Sequence, residues 1–208
     1  MDVKIMRLVV GPLQENCYLV YNENKECVVI DPGYSGKDLL KVIEDNHLNV
    51  LYILLTHGHI DHIGAVAYLK DKLKIEVYMH ENDRYMLEDT DKKRASLYGM
   101  DVESTKVDKL VREGDKIKFS DYYFTVIETP GHTGGGVCYL IDDILFSGDT
   151  LFKGSIGRYD FPESDGLALM NSLKKLKKLD PKIYVLPGHG DETTIEEELQ
   201  YNPYLRRI

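Results

Sequence analysis

Tryptophan is absent from the 208 residues, and cysteine occurs three times. Cys17, Cys27 and Cys138 are odd in number, lack any C-x-x-C spacing and lie in apolar, strand-like runs. That argues against a disulfide framework or a cysteine-built structural zinc site, and casts all three as small buried apolar residues. No run approaches the ~18 consecutive apolar residues of a membrane-spanning helix. The opening Met1-Asp2-Val3-Lys4-Ile5-Met6-Arg7 is broken by charges and precedes no apolar h-region, so a cytoplasmic protein without membrane attachment is expected. Positive charge is in deficit, 26 Lys and Arg against 35 Asp and Glu, for a formal −9. An acidic surface repels phosphate backbones, which argues against nucleic acid as a partner. The one basic run, Lys174-Lys175-Leu176-Lys177-Lys178, reads as a solvated helix face. Linkers, repeats and low-complexity segments are missing too, so a single domain over 1–208 is expected.

What is present is ample core material, 43% apolar residues, with 29% charged. Val3–Val10, Cys17–Tyr21 and Cys27–Ile30 read as strands separated by turn-rich pieces. Ser35–Asn46 reads as a helix with Ser35 as its N-cap and Leu39, Leu40 and Ile43 on one face. Val50–Leu55 is a continuous apolar run, as in a strand buried on both faces. Ala65, Val66, Leu69 and Leu73 repeat at helical spacing. Glu76–Met79 reads as a strand and Glu81–Asp89 as a helix, while the polar stretch Thr90–Lys109 gives no clear pattern. Two hairpins follow, Lys116–Phe119 with Tyr122–Glu128 and Val137–Ile141 with Ile144–Ser147. Helix Leu167–Leu179, strand Ile183–Leu186 and helix Thr194–Gln200 complete an α/β chain whose hairpins call for mixed or antiparallel sheets.

The chemistry is concentrated in Thr56-His57-Gly58-His59-Ile60-Asp61-His62. Four potential metal ligands occupy six residues between a strand and a helix, and imidazole with carboxylate suits divalent ions. Alternation along an extended segment puts His57 and His59 on one side, able to share one ion. Asp61 and His62 follow where the chain turns, placed for a second. Three later segments each set a glycine before a candidate ligand at a strand end: Gly131-His132, Gly148-Asp149 and Gly188-His189. Glycine there permits a sharp turn at the strand tip, and loops on a rigid scaffold are where ligands belong. His47 and His80 lack this context and read as structural.

Thr56–His62, Gly131-His132, Gly148-Asp149 and Gly188-His189, in this order and with Asp31-Pro32-Gly33 after an early strand, resemble the metallo-β-lactamase superfamily over nearly the whole chain. The resemblance implies a four-layer αββα sandwich, mixed sheets with helices outside. It implies His57, His59 and His132 as ligands of one metal, Asp61, His62 and His189 as ligands of another, and Asp149 as the carboxylate bridging them. Zinc is the first choice, with iron or manganese compatible. Asp61 would also act catalytically by orienting a metal-bridging hydroxide.

Gly148-Asp149-Thr150-Leu151-Phe152 and Gly154-Ser155-Ile156-Gly157-Arg158 resemble the short bacterial members of the glyoxalase II branch. That implies hydrolysis of a small-molecule thioester of the hydroxyacylglutathione type, with Arg158 clamping a substrate carboxylate and Tyr159 beside it. Longer glyoxalase II enzymes continue into a helical domain. The residues after His189 leave no room for one, so a different thiol carrier is compatible. Gly157-Arg158-x-Asp160-Phe161 also resembles persulfide dioxygenases of the same fold, which hold one iron on residues matching His57, His132 and Asp149. A nuclease, a secreted β-lactamase and a non-catalytic metal module fit less well.

Overall fold

The computed structural model describes residues 3–208; Met1 and Asp2, the first two residues of the leading segment read above, lie outside the described residues. Contacts divide the chain into two compact units, one ending at Leu110 and the other spanning Val111–Ile208. Each has its own six-stranded sheet and its own core.

In the first unit β1 (Lys4–Val10), β2 (Glu15–Tyr21) and β3 (Glu26–Ile30) form an antiparallel meander. Helix α1 (Gly36–Asp45) then carries the chain over to β4 (Asn49–Leu54), parallel to β3. Helices α2 (Ile60–Ile63) and α3 (Val66–Leu73) make the second crossover, to β5 (Glu76–His80), parallel to β4. Parallel neighbours require such crossovers, because no tight turn can join them. Helices α4 (Arg84–Glu88) and α5 (Lys92–Leu97) precede β6 (Lys109–Val111), which completes the order β1-β2-β3-β4-β5-β6. Leu39 and Ile43 of α1 and Val66 and Leu69 of α3 pack on Cys17, Leu19, Cys27, Val29 and Ile53.

Ser35 occupies the N-cap position of α1 but makes no side-chain capping bond. Its backbone is left-handed (φ 54°), not the extended conformation from which a hydroxyl reaches the first-turn amides. Its carbonyl does the work instead, accepting from Asp38 and Leu39. Within the polar stretch 90–109, α5 is held by Asp91, whose Oδ1 accepts from the amides of Lys93 and Arg94, while Ala95, Met100 and Val102 are buried.

In the second unit β7 (Lys116–Phe119) and β8 (Tyr122–Glu128) form one hairpin, and β9 (Val137–Ile141) and β10 (Ile144–Gly148) another. A two-residue-strand ribbon, β11 (Leu151–Phe152) with β12 (Ser155–Ile156), stands apart. Helix α6 (Gly166–Leu176) is capped by Asp165 and buries Leu169, Leu173 and Leu176. Strand β13 (Tyr184–Pro187) lies parallel to β10, and β14 (Thr193–Thr194) leads into α7 (Ile195–Tyr201). The sheet order is β14-β13-β10-β9-β8-β7. The basic run is not wholly solvated. Lys175 Nζ donates to the Glu128 carbonyl and pairs with Glu113, and Lys177 Nζ donates to the carbonyls of Leu205 and Ile208. Long alkyl stems let these lysines reach back to carbonyls left open at chain ends. All three cysteines are buried free thiols. Among the described residues no helix is long and apolar enough to cross a membrane.

Candidate metal centre

In the first unit the ligand-rich loop leaves β4 and enters α2. The rings of His57 and His59 meet edge to face, with His57 Nε2 and His59 Nδ1 3.1 Å apart. Asp61 Oδ2 stands 3.9 Å from His62 Nε2. Behind them lies Asp31, buried and held in the left-handed region (φ 49°). Its carboxylate faces the Thr56 amide (2.7 Å), the Thr56 hydroxyl (2.5 Å) and His62 Nδ1 (2.9 Å). A carboxylate only accepts, so His62 and Thr56 are both donors to it. The Thr56 oxygen, its proton committed, accepts in turn from His57 Nδ1, 3.1 Å away. One carboxylate thereby sets two tautomers, leaving Nε2 of His57 and of His62 as the lone-pair atoms. The nitrogen and oxygen ligand atoms of Asp31, His57 and His62 all lie within 4.8 Å of one another.

Two further contacts hold this loop. Asp83, buried, accepts from the Gly58 amide at 3.0 Å. Gly33 is required by close approach: a Cβ there would lie 1.5 Å from the Asp61 carbonyl and 2.6 Å from Glu15 Oε2. Glu15 is itself buried, its Oε1 3.9 Å from His62 Nδ1.

The second unit delivers the other three residues by topology. Strands β8 and β10 each lie antiparallel to β9, and β13 is parallel to β10. All three therefore run one way, and the loops bearing His132, Asp149 and His189 emerge at one end of the sheet. His132 Nδ1 faces the Arg158 carbonyl at 2.8 Å. A carbonyl only accepts, so the lone pair is on Nε2, 3.4 Å from Asp149 Oδ2. His189 Nε2 stands 3.7 Å from the same oxygen. Gly157 permits the Arg158 contact, since a Cβ there would sit 1.7 Å from the Asp149 carbonyl and 3.3 Å from His132 Nδ1. Gly131 (φ 141°) and Gly148 (φ 48°) turn as expected, whereas beside His189 the left-handed residue is Gly190 (φ 76°), not Gly188.

These spacings fit a cation. Ligands about 2.0–2.2 Å from a tetrahedral ion lie roughly 3.3–3.6 Å apart, close to the 3.1–3.9 Å found within each unit. Three histidines tie one ring nitrogen to an acceptor and present the other, the usual arrangement of a metal-bound imidazole. Lone pairs converging on a carboxylate repel unless a positive charge stands among them.

Arg158 and Tyr159 are placed differently. The exposed guanidinium of Arg158 is held by Asp160 through two bonds (Nε–Oδ1 2.9 Å, Nη2–Oδ2 3.0 Å) and lies 4.3 Å from the centre of the Phe161 ring. The Phe161 ring meets His132 edge on at 5.8 Å. Tyr159 is half exposed and rests against Gly166. His80 Nδ1 accepts from the Asn82 amide, a local structural contact. Asp31, Thr56 and Asp83 had no sequence signal as holders of ligands, beyond the Asp31-Pro32-Gly33 turn.

The family model of the metallo-beta-lactamase superfamily matches residues 10–189, across both units. Hydroxyacylglutathione hydrolase GloC of Haemophilus influenzae is 35% identical over 99% of this chain and 98% of its own length. The probable metallo-hydrolase YqgX of Bacillus subtilis is 36% identical over 98% of each. Among solved structures, BLEG-1 B3 metallo-beta-lactamase superposes with a TM-score of 0.91 at 38% identity, over 97% of this chain and 99% of that one. A protein crystallised in a di-iron-bound form gives 0.86 at 40%, over 96% and 100%. ETHE1 from Myxococcus xanthus gives 0.81 at 28%, over 96% and 83%. The chain belongs to the metallo-β-lactamase superfamily and has its α/β fold of mixed sheets and helices. It is a metal-dependent hydrolase of that superfamily, with histidine-rich groups suited to divalent ions.

Proposed function

We propose that the enzyme hydrolyses a thioester of the hydroxyacylglutathione class with the help of divalent metal ions. In this reading His57, His59 and His132 would hold one divalent ion and Asp61, His62 and His189 a second, with Asp149 available to both. The observation that carries it is the donor spacing: each unit presents oriented lone pairs at ion-binding separations. When bound, such ions lower the pKa of water towards about 7 and polarise a carbonyl oxygen. The protein's own part is to hold the donors in their required tautomers. Asp61, with 15% of its side chain exposed, would orient the attacking water, whose proton passes to solvent. Water adds to the thioester carbonyl carbon, the C–S bond breaks, and the thiolate departs with little need of a proton. Arg158, released from Asp160, takes a carboxylate on the thiol portion. The GloC relative, matched over 98% of its length, supports the substrate class.

The likeness to ETHE1 favours a second reading, a mononuclear-iron persulfide dioxygenase. Purified protein assayed with S-lactoylglutathione under nitrogen, alongside metal analysis, separates the two. Two ions per chain with oxygen-independent cleavage are expected. One iron with oxygen uptake on a persulfide, and no thioester cleavage, overturns the proposal. A β-lactam run in parallel tests the relationship to BLEG-1.

A further inference from the structure

Beneath the loops of the second unit lies a chain of buried hydroxyls and one thiol that the proposed chemistry does not use. Thr129, the first residue after β8, and Thr150, two residues after β10, are fully or nearly fully buried. Their Oγ1 atoms are 2.9 Å apart. Thr129 Oγ1 is also 3.4 Å from Cys138 Sγ, and that thiol donates to the Ser147 carbonyl at 3.6 Å. The Ser147 hydroxyl donates to the Leu151 carbonyl at 2.8 Å.

The two threonines stand close to candidate ligands in sequence. Thr129 starts the turn Thr129-Pro130-Gly131-His132, and Thr150 directly follows Asp149. The hydroxyl pair is thus a buried side-chain tie between the two loops, made behind His132 and Asp149. The Thr150 amide donates to the Ser147 carbonyl, and the Gly157 amide faces the Thr150 carbonyl at 3.3 Å. Gly157 in turn precedes Arg158, whose carbonyl accepts from His132 Nδ1. The path closes on itself: Thr129 to Thr150, Thr150 to Gly157, Arg158 back to His132. A buried hydroxyl without its partner is costly, so this pairing resists any slip of one loop past the other.

We propose that Thr129 and Thr150 are positioning residues which fix the separation of His132 and Asp149, and through it the affinity of the centre for its cation. The inference rests on the reading of His132 and Asp149 as ligands of one site. Valine matches threonine in shape and removes only the hydroxyl, so Thr150→Val and Thr129→Val test it, with Thr150→Ser as the conservative variant.

The readout is zinc affinity of the folded protein, measured by competition with a chromophoric chelator, beside thermal unfolding of the metal-free form. Removal of such a support typically weakens metal binding 10–100-fold. Thr150→Val is expected to bind zinc at least tenfold more weakly, with Thr150→Ser restoring most of it. Because both act through one bond, the double variant is expected to lose no more than the weaker-binding single. Should Thr150→Val fail to fold, Thr129→Val and Thr150→Ser carry the same comparison. Unchanged zinc affinity with a lowered unfolding temperature overturns the inference, since a purely structural role moves only stability. Wild-type protein that takes up no zinc or other divalent ion overturns the underlying site reading instead.

Discussion

Replacing Asp31 by asparagine tests how much of the centre depends on a residue that touches no reacting atom. Asp31 accepts from the Thr56 amide, the Thr56 hydroxyl and His62 Nδ1. Asparagine keeps one acceptor, enough for the amide, and turns the other oxygen into an NH2 that faces His62 Nδ1 and the Thr56 hydroxyl. Nδ1 of His62 must then accept, so its proton moves to Nε2, the atom that the proposal assigns to the ion. The Thr56 hydroxyl loses its acceptor, and with it the reason for His57 to keep its proton on Nδ1. Two hydrogen bonds to a charged group are lost, at roughly 1.5–3 kcal/mol each. Rearranged contacts recover part of this, so a net loss of about 2–4 kcal/mol is expected. At roughly 2–4 °C per kcal/mol for a chain of this size, unfolding should fall by about 5–15 °C. Metal affinity should fall 10–100-fold, as for other outer supports of bound histidines. Thermal unfolding, metal content and 15N shifts of the imidazoles report the three effects separately. An Asp31→Asn variant with wild-type metal content, an unfolding temperature close to that of wild type and an unmoved His62 tautomer would refute the reasoning.

The three thiols should resist modification in the native protein and react together on unfolding, as a chromogenic disulfide reagent would show. Burial pushes Cys138 up to about 11 and Cys27 up to about 12, with Cys17 also raised well above its ordinary value. The unfolded thiols ionise near pH 8.5–9 while the native ones stay protonated. Their contribution is therefore intact below about pH 8.5 and declines as pH rises towards 11–12, by up to about 1.4 kcal/mol per pH unit for each thiol. Urea midpoints at pH 7, 9 and 10 check the sign, and a stability that rises across that range contradicts it. Arg158→Ala should raise KM several-fold for a carboxylate-bearing thioester at constant kcat, on about 1 kcal/mol for an exposed charge contact; steady-state kinetics showing an unchanged KM removes Arg158 from substrate binding. Glu198 is buried and accepts from the Gly154 amide, the Thr193 hydroxyl and Asn202 Nδ2, so Glu198→Ala should cost about 3 kcal/mol or more and lower the unfolding temperature measurably, while an unchanged melt denies it that role.

Long, strongly periodic elements were legible from sequence. The two hairpins, β4, α1 and α3 arose where alternation or helical spacing was plain, within a residue or two of the observed bounds. The candidate ligand segments stood out for a different reason: imidazoles and carboxylates next to glycine at strand ends have few structural uses. Three things were hidden. Helix α5 depends on Asp91 and on Ala95, Met100 and Val102 finding cover, which no local pattern shows. The two-residue strands β11, β12 and β14 exist only through their pairing partners. The work of Asp31 depends on a left-handed backbone at a non-glycine residue and on Thr56, 25 positions away. Supports of this kind are relations in space, and a sequence shows residues one at a time.

The most consequential proposal is that His57, His59, Asp61, His62, His132, Asp149 and His189 hold a pair of divalent ions. Anomalous diffraction from a crystal of the metal-loaded protein, recorded on both sides of the absorption edge, tests it most directly. The account predicts two peaks per chain, one among His57, His59 and His132 and one among Asp61, His62 and His189, with Asp149 touching both. Peaks away from these histidines, or none near Asp149, would contradict it.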